Sequence, residues 1–322
     1  MEALIAVVVA APVAFVVAWL AKVVGPKVGL VDLPDGELKT HSRPIVPLGG
    51  IGVATGFLVA AAVTGELTWS IGSAVVGVAA LGLIDDRISL SPKLRLVAEL
   101  AAGLLLVAQP FLDGTLSAVQ ALVGIGATVV LINAVNLYDG LDGLVSSSAA
   151  AGLAGAALLG WVWGDGGGLL AVAGAGALIG FLPHNWNPAR MFLGDNGSYT
   201  VGTVIAAVIV DSAVSGRDIF GMMAAAAAGT VFLVDLASTL WRRKRAGVPL
   251  FAGDRSHTYD RLHDSGWSIK RVAGTSAIVN GAAALAVALT AAVNTIAAAV
   301  LAVVIVLGLI GVATSKVIRV AP

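Results

Sequence analysis

The chain contains no cysteine, which excludes disulfides, thiolate metal sites and cysteine nucleophiles and leaves the compartment open. Charge is scarce too: 12% of the 322 residues are Asp, Glu, Lys or Arg, and the 19 bases balance the 19 acids, so nothing pulls the chain as a whole toward nucleic acid. Histidine occurs four times. There is no Walker A sequence and no dinucleotide-binding fingerprint; GAGALIG at 174–180 lies inside an apolar run with no strand before it. What remains is oil: 58% of residues are hydrophobic and the mean hydropathy is +0.96, a balance that belongs to multi-spanning membrane proteins.

Dividing the apolar runs at their polar interruptions predicts helices near 2–24, 48–64, 69–84, 97–112, 118–135, 145–163, 168–184, 199–213, 218–240, 273–293 and 296–314. The expected fold class is all-α: a polytopic integral membrane protein of about ten to eleven transmembrane helices, forming a single domain over 1–322. Several runs are shorter than the roughly 20 residues a bilayer requires, so tilting or burial inside the bundle is expected. The first run has no basic flank and no small-residue cleavage site, and reads as a retained helix. Gly176 and Gly180 make a small-xxx-small pair suited to close helix packing, within the chain first and in a homodimer second.

The connections alternate in character. Polar stretches follow the odd-numbered helices, and short links such as GELT and GDGGG follow the even ones. Eighteen of the nineteen basic residues fall on the odd side, leaving Arg217 alone opposite. The positive-inside rule makes that side cytoplasmic, with the N-terminus outside and the C-terminus inside a plasma (inner) membrane. The run WRRKR at 241–245 reads first as a juxtamembrane anchor facing anionic lipid.

The cytoplasmic side also collects acids and amides. LGLIDDRISLSPKLR sets Asp85 and Asp86 at a helix end, where neighbouring acids can share a metal or divide proton-transfer duties. NAVNLYDGLDGL carries Asn136, Asp139 and Asp142, with the two acids three residues apart and therefore facing one way on a helical or turn-like path. FLGDNGS places Asp195 just before a helix, where an N-cap is the bland alternative. One such loop would be unremarkable, but three on one face point to a site. Hard oxygen ligands without cysteine favour Mg²⁺, or Mn²⁺, over zinc, and Mg²⁺ keeps substrate phosphates as partners. Lys39, Arg255 and His257 could neutralise the rest of a diphosphate. His184 is read as structural, and Asp235 and Glu99 as pairing with nearby bases, with no further role.

Taken in order, LGLIDDRISLSPKLR, NAVNLYDGLDGL and FLGDNGS resemble the successive signatures of the polyprenyl-phosphate N-acetylhexosamine-1-phosphate transferases, a family that includes GlcNAc-1-phosphate and phospho-MurNAc-pentapeptide transferases. GLVDLPDGELKTHSRPIVPLGGIGV is similar to that family's first cytoplasmic loop. The resemblance implies transfer of an N-acetylhexosamine-1-phosphate, GlcNAc-1-phosphate first, from a UDP-sugar to a polyprenyl phosphate such as undecaprenyl phosphate. The products would be polyprenyl-diphospho-sugar and UMP, in an initiating step of cell-wall, lipopolysaccharide or other envelope polysaccharide synthesis. It further implies Mg²⁺ held by Asp195 and Asp139, catalytic roles for Asp85, Asp86, Asp195 and His257, and substrate contacts from Lys39, Asn136, Asp139, Asp142, Phe192 and Arg255.

The chain departs from the family at SHTYDRL, which keeps His257 but has Thr258, Tyr259 and Asp260 where the muramoyl-pentapeptide branch has further histidines. That departure leaves the donor open between UDP-GlcNAc, another UDP-N-acetylhexosamine (6-deoxy sugars included) and UDP-MurNAc-pentapeptide. Two other classes compete. A CDP-alcohol phosphotransferase requires a DG-x2-AR pattern where this chain has DGLDGLVSS, and a cation-coupled transporter would place its acids at mid-membrane in inverted repeats.

Overall fold

A computed structural model describes residues 1–32, 44–164, 168–249 and 255–315. Helices stand at all eleven expected positions. They are α1 (Glu2–Val24), α2 (Gly49–Val63), α3 (Trp69–Ile88), α4 (Pro92–Leu112), α5 (Ala118–Tyr138), α6 (Leu144–Trp163), α7 (Leu169–Asn185), α8 (Gly194–Val214), the pair α9 (Ile219–Ala225) and α10 (Thr230–Ala246), then α12 (Ile269–Ala291) and α13 (Thr295–Thr314), with a short α11 (Thr258–Asp264) between. Among the described residues the only β-pairing is an isolated bridge between Asp32 and Ile45. Eight helical stretches are long and apolar enough to cross a bilayer, and the shorter apolar α2 and α7 lie among them.

The helix starts follow local chemistry. Thr68, Ser91 and Asn294 accept hydrogen bonds from the backbone N–H groups of Ile71, Leu94 and Ala297, and Ser117 with Gln120 closes a reciprocal capping box on α5. Ser91 followed by Pro92 starts α4 five residues earlier than hydropathy indicates, because Lys93 and Arg95 lower hydropathy without disfavouring a helix. For the same reason α3, α5 and α8 each extend into the acidic motifs, so Asp85, Asp86 and Asp195 sit in helix ends and Asp139 caps one, while Asp142 lies in the turn between α5 and α6.

Lipid tails are as apolar as leucine, so helices in a membrane associate by close packing. Ala6, Ala10, Ala14 and Ala18 form the buried stripe of α1, and a Cβ on Gly52 or Gly56 of α2 would crowd Ala14, Ala18 or Ala10. Gly176 and Gly180 of α7 abut Val7, Ala10 and Ala11 of α1, so that small-residue pair is spent inside the chain. One buried cluster runs from Ala10 in α1 to Ala302 in α13.

The run expected as one helix over 218–240 is broken: a 3-10 turn, Ala226–Gly229, separates α9 from α10. No proline is responsible. The side chain of Asn280 on α12 enters the ladder there, donating to the carbonyls of Ala228 and Ser148 at 2.8 Å each and accepting from the N–H of Val231 at 3.2 Å. A side chain at Gly152 of α6 would collide with both Ala228 and Asn280. Asn280→Leu removes one amide and leaves three buried backbone groups without it, so it should destabilise the protein by about 1–3 kcal/mol. The check is a lower unfolding midpoint in detergent for Asn280→Leu and a smaller loss for Asn280→Gln.

Candidate active site

All three acidic motifs meet at one end of the bundle, where α3 and α5 finish and α8 begins. The first turn of α8 is seated on glycine: a Cβ on Gly50 of α2 or Gly82 of α3 would strike Asn196, and one on Gly197 would strike Leu193. Gly194 enters the helix at φ +74°, a left-handed conformation that favours glycine. Asp86 then caps the turn, accepting from the N–H groups of Asp195 and Asn196 at 2.9 and 3.3 Å and from the Asn196 amide at 2.8 Å. Asn196 also donates to the carbonyl of Pro47 at 2.7 Å, and the N–H groups of Gly49 and Gly50 donate to the carbonyls of Phe192 and Leu193, so α2, α3 and α8 are locked together.

A cavity of about 890 Å³ opens above this junction, a size suited to a small-molecule ligand. Its wall includes Asp85, Asp86, Asn136, Asp139, Asp142, Phe192 and Asp195. The acids are not equivalent. Asp85 is buried and fully engaged, accepting from the N–H of Leu90 at 2.7 Å and the Tyr199 hydroxyl at 2.5 Å, with the Arg95 guanidinium 2.7 Å away. Asp142 accepts from the Asn187 amide and the Ala189 N–H at 2.8 and 2.9 Å, which fixes the segment between α7 and α8. Asn185 supports the same corner, accepting from the Gly143 N–H and Ser146 hydroxyl and donating to the Met191 carbonyl.

Two carboxylates are left facing the cavity. Asp195 accepts at one oxygen from the Asn136 amide at 2.7 Å, and that amide also reaches Ser198 at 3.1 Å. Asp139 accepts no hydrogen bond from the described residues. Burial, together with repulsion from Asp195, Asp86 and Asp142, pushes its pKa up to about 8. This group prefers to be neutral or to meet a cation. The residues able to hold one are Asp139 and Asp195, with the Asn136 amide beside them. Among the described residues no three acids or histidines form a closed ligand cage.

His257 is brought near the site but not onto the cavity wall. It caps α11, buried, with Nδ1 2.6 Å from Asp235 and 3.3 Å from Thr239, and its ring stacks on Tyr259 at 5.3 Å. The other oxygen of Asp235 accepts from the Thr258 N–H at 2.8 Å. Arg242 of the basic run adds hydrogen bonds to Thr239 and Ser256. Tyr259, whose phenol burial keeps protonated, donates to the carbonyl of Leu137 at 3.1 Å and lies so close to Gly140 that a Cβ there would collide with it. Arg255 is exposed and off the cavity wall, and Lys39 lies outside the described residues.

Asp235, expected from the sequence only to pair with a nearby base, and Tyr199, unnamed there, are therefore structural partners of the site. Asp235 had a signal: an acid inside the apolar run TVFLVDLAS needs a buried partner. Tyr199, one of several uncharged polar residues on α8, had none. His184 agrees with its structural assignment, bonding at 3.1 Å to the carbonyl of Phe15. Glu99 pairs with the Asn133 amide at 2.6 Å, whereas the nearby Arg95 serves Asp85.

Fold and site thus define a polytopic helical membrane protein with an acid-walled cavity at one end of the bundle. Residues 68–213, from α3 to the end of α8, match glycosyl transferase family 4. The chain is 31% identical over 299 residues to a decaprenyl-phosphate N-acetylglucosaminephosphotransferase of Mycobacterium tuberculosis, covering 78% of this chain and 73% of that one. It is 28% identical over 271 residues to a probable undecaprenyl-phosphate N-acetylglucosaminyl 1-phosphate transferase of Bacillus subtilis, covering 77% and 74%. With a phospho-N-acetylmuramoyl-pentapeptide-transferase of Synechococcus elongatus it shares 32% over 209 residues, 56% of either chain. The chain belongs to this family of polyprenyl-phosphate sugar-1-phosphate transferases.

The raised pKa of Asp139 has a consequence for stability. Its carboxyl binds a proton more tightly folded than unfolded, so that contribution is whole below its ordinary value of 3.8 and is lost as pH rises through about 8. In chelator, the unfolding midpoint should fall between about pH 4 and pH 8 and level off above that, and Asp139→Asn should flatten that fall. Equal slopes in the two proteins would refute the assignment.

Proposed function

We propose that the protein transfers N-acetylglucosamine-1-phosphate from UDP-GlcNAc to a polyprenyl phosphate, releasing UMP. The observation that carries the reading is the pair of uncompensated carboxylates, Asp139 and Asp195, on a cavity at one end of a membrane-spanning bundle. A polyprenyl phosphate keeps its tail in lipid and a UDP-sugar stays in water, so their reaction has to occur where the two phases meet. The names of the relatives, which specify decaprenyl or undecaprenyl phosphate and N-acetylglucosamine, support the same acceptor and sugar here.

In this reaction an oxygen of the lipid phosphate forms a bond to the β-phosphorus of the donor, and the bond from that phosphorus to the bridging oxygen breaks, so the electron pair leaves with UMP. Asp139 and Asp195 would hold Mg²⁺, or Mn²⁺; with two carboxylates and room for phosphate the donor set fits a cation that fills its shell with substrate oxygens and water. That ion supplies neutralisation of the diphosphate charge. Asn136 orients Asp195 through its amide, and Asp86 fixes the backbone beneath it. Phe192 offers an aromatic face on the wall for the uracil base. Asp85, engaged by Arg95 and Tyr199, supports the geometry of this corner.

The excess of bases on the site's side of the chain supports a cytoplasmic active site in the plasma (inner) membrane, with the N-terminus outside. Tyr259, packed under Gly140 in a loop that departs from the histidine-rich form of the muramoyl-pentapeptide branch it resembles, favours a second reading on the sugar alone: a different UDP-N-acetylhexosamine, 6-deoxy sugars included.

Purified protein with Mg²⁺, polyprenyl phosphate and a panel of UDP-N-acetylhexosamines should release UMP, most with UDP-GlcNAc. Asp195→Asn should lower kcat by at least about a hundredfold, the scale for loss of one preorganised charged group at a reacting centre. Absence of UMP with every donor would overturn the assignment.

A further inference from the structure

The charged residues described on the cavity wall are aspartates with a single exception, yet the substrates assigned above are anions. Among the described residues the wall carries one Lys or Arg, Arg87, the residue directly after the two acids of α3. Its neighbours are occupied: Asp85 by Leu90, Tyr199 and Arg95, and Asp86 by the first turn of α8. Arg87 is not. Its side chain is exposed and makes no hydrogen bond or ion pair with a described residue.

Its position on the helix is informative. At about 100° per residue, Arg87 lies roughly 40° from Leu83 and about 100° from Asp86 on one side, and roughly 60° from Ile84 and about 100° from Ile88 on the other. Leu83 and Asp86 line the cavity. Ile84 and Ile88 do not; they are 49% and 64% exposed on the outside of a membrane bundle, where apolar side chains meet lipid. Arg87 therefore stands on the seam between the aqueous cavity and the hydrocarbon, and its long stem can follow the apolar strip while the guanidinium reaches the polar side.

We propose that Arg87 is the docking cation for the phosphate of the membrane-borne acceptor. The proposal rests on the transferase reading. A donor nucleotide can enter from water on the open side of the cavity, but an acceptor whose tail stays in lipid has to bring its phosphate across a seam of this kind. A planar guanidinium offers paired donors to two phosphate oxygens and remains charged beside any local proton change, which a lysine would match less well. Without it, a phosphate dianion would approach Asp86, Asp139 and Asp195 with no opposing charge on the described wall.

The test uses the full-length enzyme in nanodiscs with UDP-GlcNAc and polyprenyl phosphate, comparing Arg87→Ala and Arg87→Lys with the parent chain. We expect Arg87→Ala to raise KM for polyprenyl phosphate at least tenfold while KM for UDP-GlcNAc stays within twofold, and Arg87→Lys to recover part of the loss. A second measurement needs no turnover: immobilised parent protein should retain radiolabelled polyprenyl phosphate and not the corresponding polyprenol, and Arg87→Ala should lose that retention with an unchanged unfolding midpoint. Unchanged lipid KM and retention would overturn the proposal, as would a rise confined to the UDP-GlcNAc KM. If the parent protein retains the lipid phosphate in an Arg87-dependent way but releases no UMP with any donor, the transferase reading falls and the docking role of Arg87 stands.

Discussion

The site depends on one interaction: the carboxylate of Asp86 closing the first turn of α8. Two backbone N–H groups and one amide converge on it, and the residue whose N–H it holds at 2.9 Å is Asp195. A helix N-terminus attracts negative charge, so the cap is stable in its own right. The same cap fixes where the Asp195 side chain emerges. It requires α3 and α8 to touch, which they can do because Gly82 lacks a side chain at their crossing, as Gly50 does where α2 meets α8. Packing of the bundle and placement of the Asp195 carboxylate are thus a single constraint.

Much of the fold was legible because hydrophobic length and basic asymmetry report directly on bilayer thickness and sidedness. Helix ends were less legible. Hydropathy falls at Lys93, Asp86 and Asp195, although the backbone stays helical through all three, since charge at an interface costs a helix little. The break in the ninth helix was invisible for another reason: its cause, Asn280, lies some fifty positions away and acts only through tertiary contact.

The motifs gathered one neighbourhood, with seven of the residues they named on a single cavity wall. They did not separate roles. Asp85, Asp86 and Asp142 each read as a free acid in the sequence, and in the fold each is engaged by partners between five and more than a hundred residues away. Only the partners distinguish an acid that positions others from one that faces a ligand. Likewise His257 is seated by Asp235, whose own sequence context shows an isolated acid and no histidine.

The cavity has two walls of unlike tolerance. One is the junction of α2, α3 and α8, where any added methyl group at Gly50, Gly82 or Gly197 meets main chain or a packed side chain. The other includes the turn at Gly140, shored up by Tyr259 from the short helix beyond α10. At Gly50 and Gly82 the obstacle is main chain, which no single exchange can move. At Gly140 it is the ring of Tyr259 alone, so a larger residue there becomes possible when position 259 shrinks with it, and this wall can be recut by a paired change.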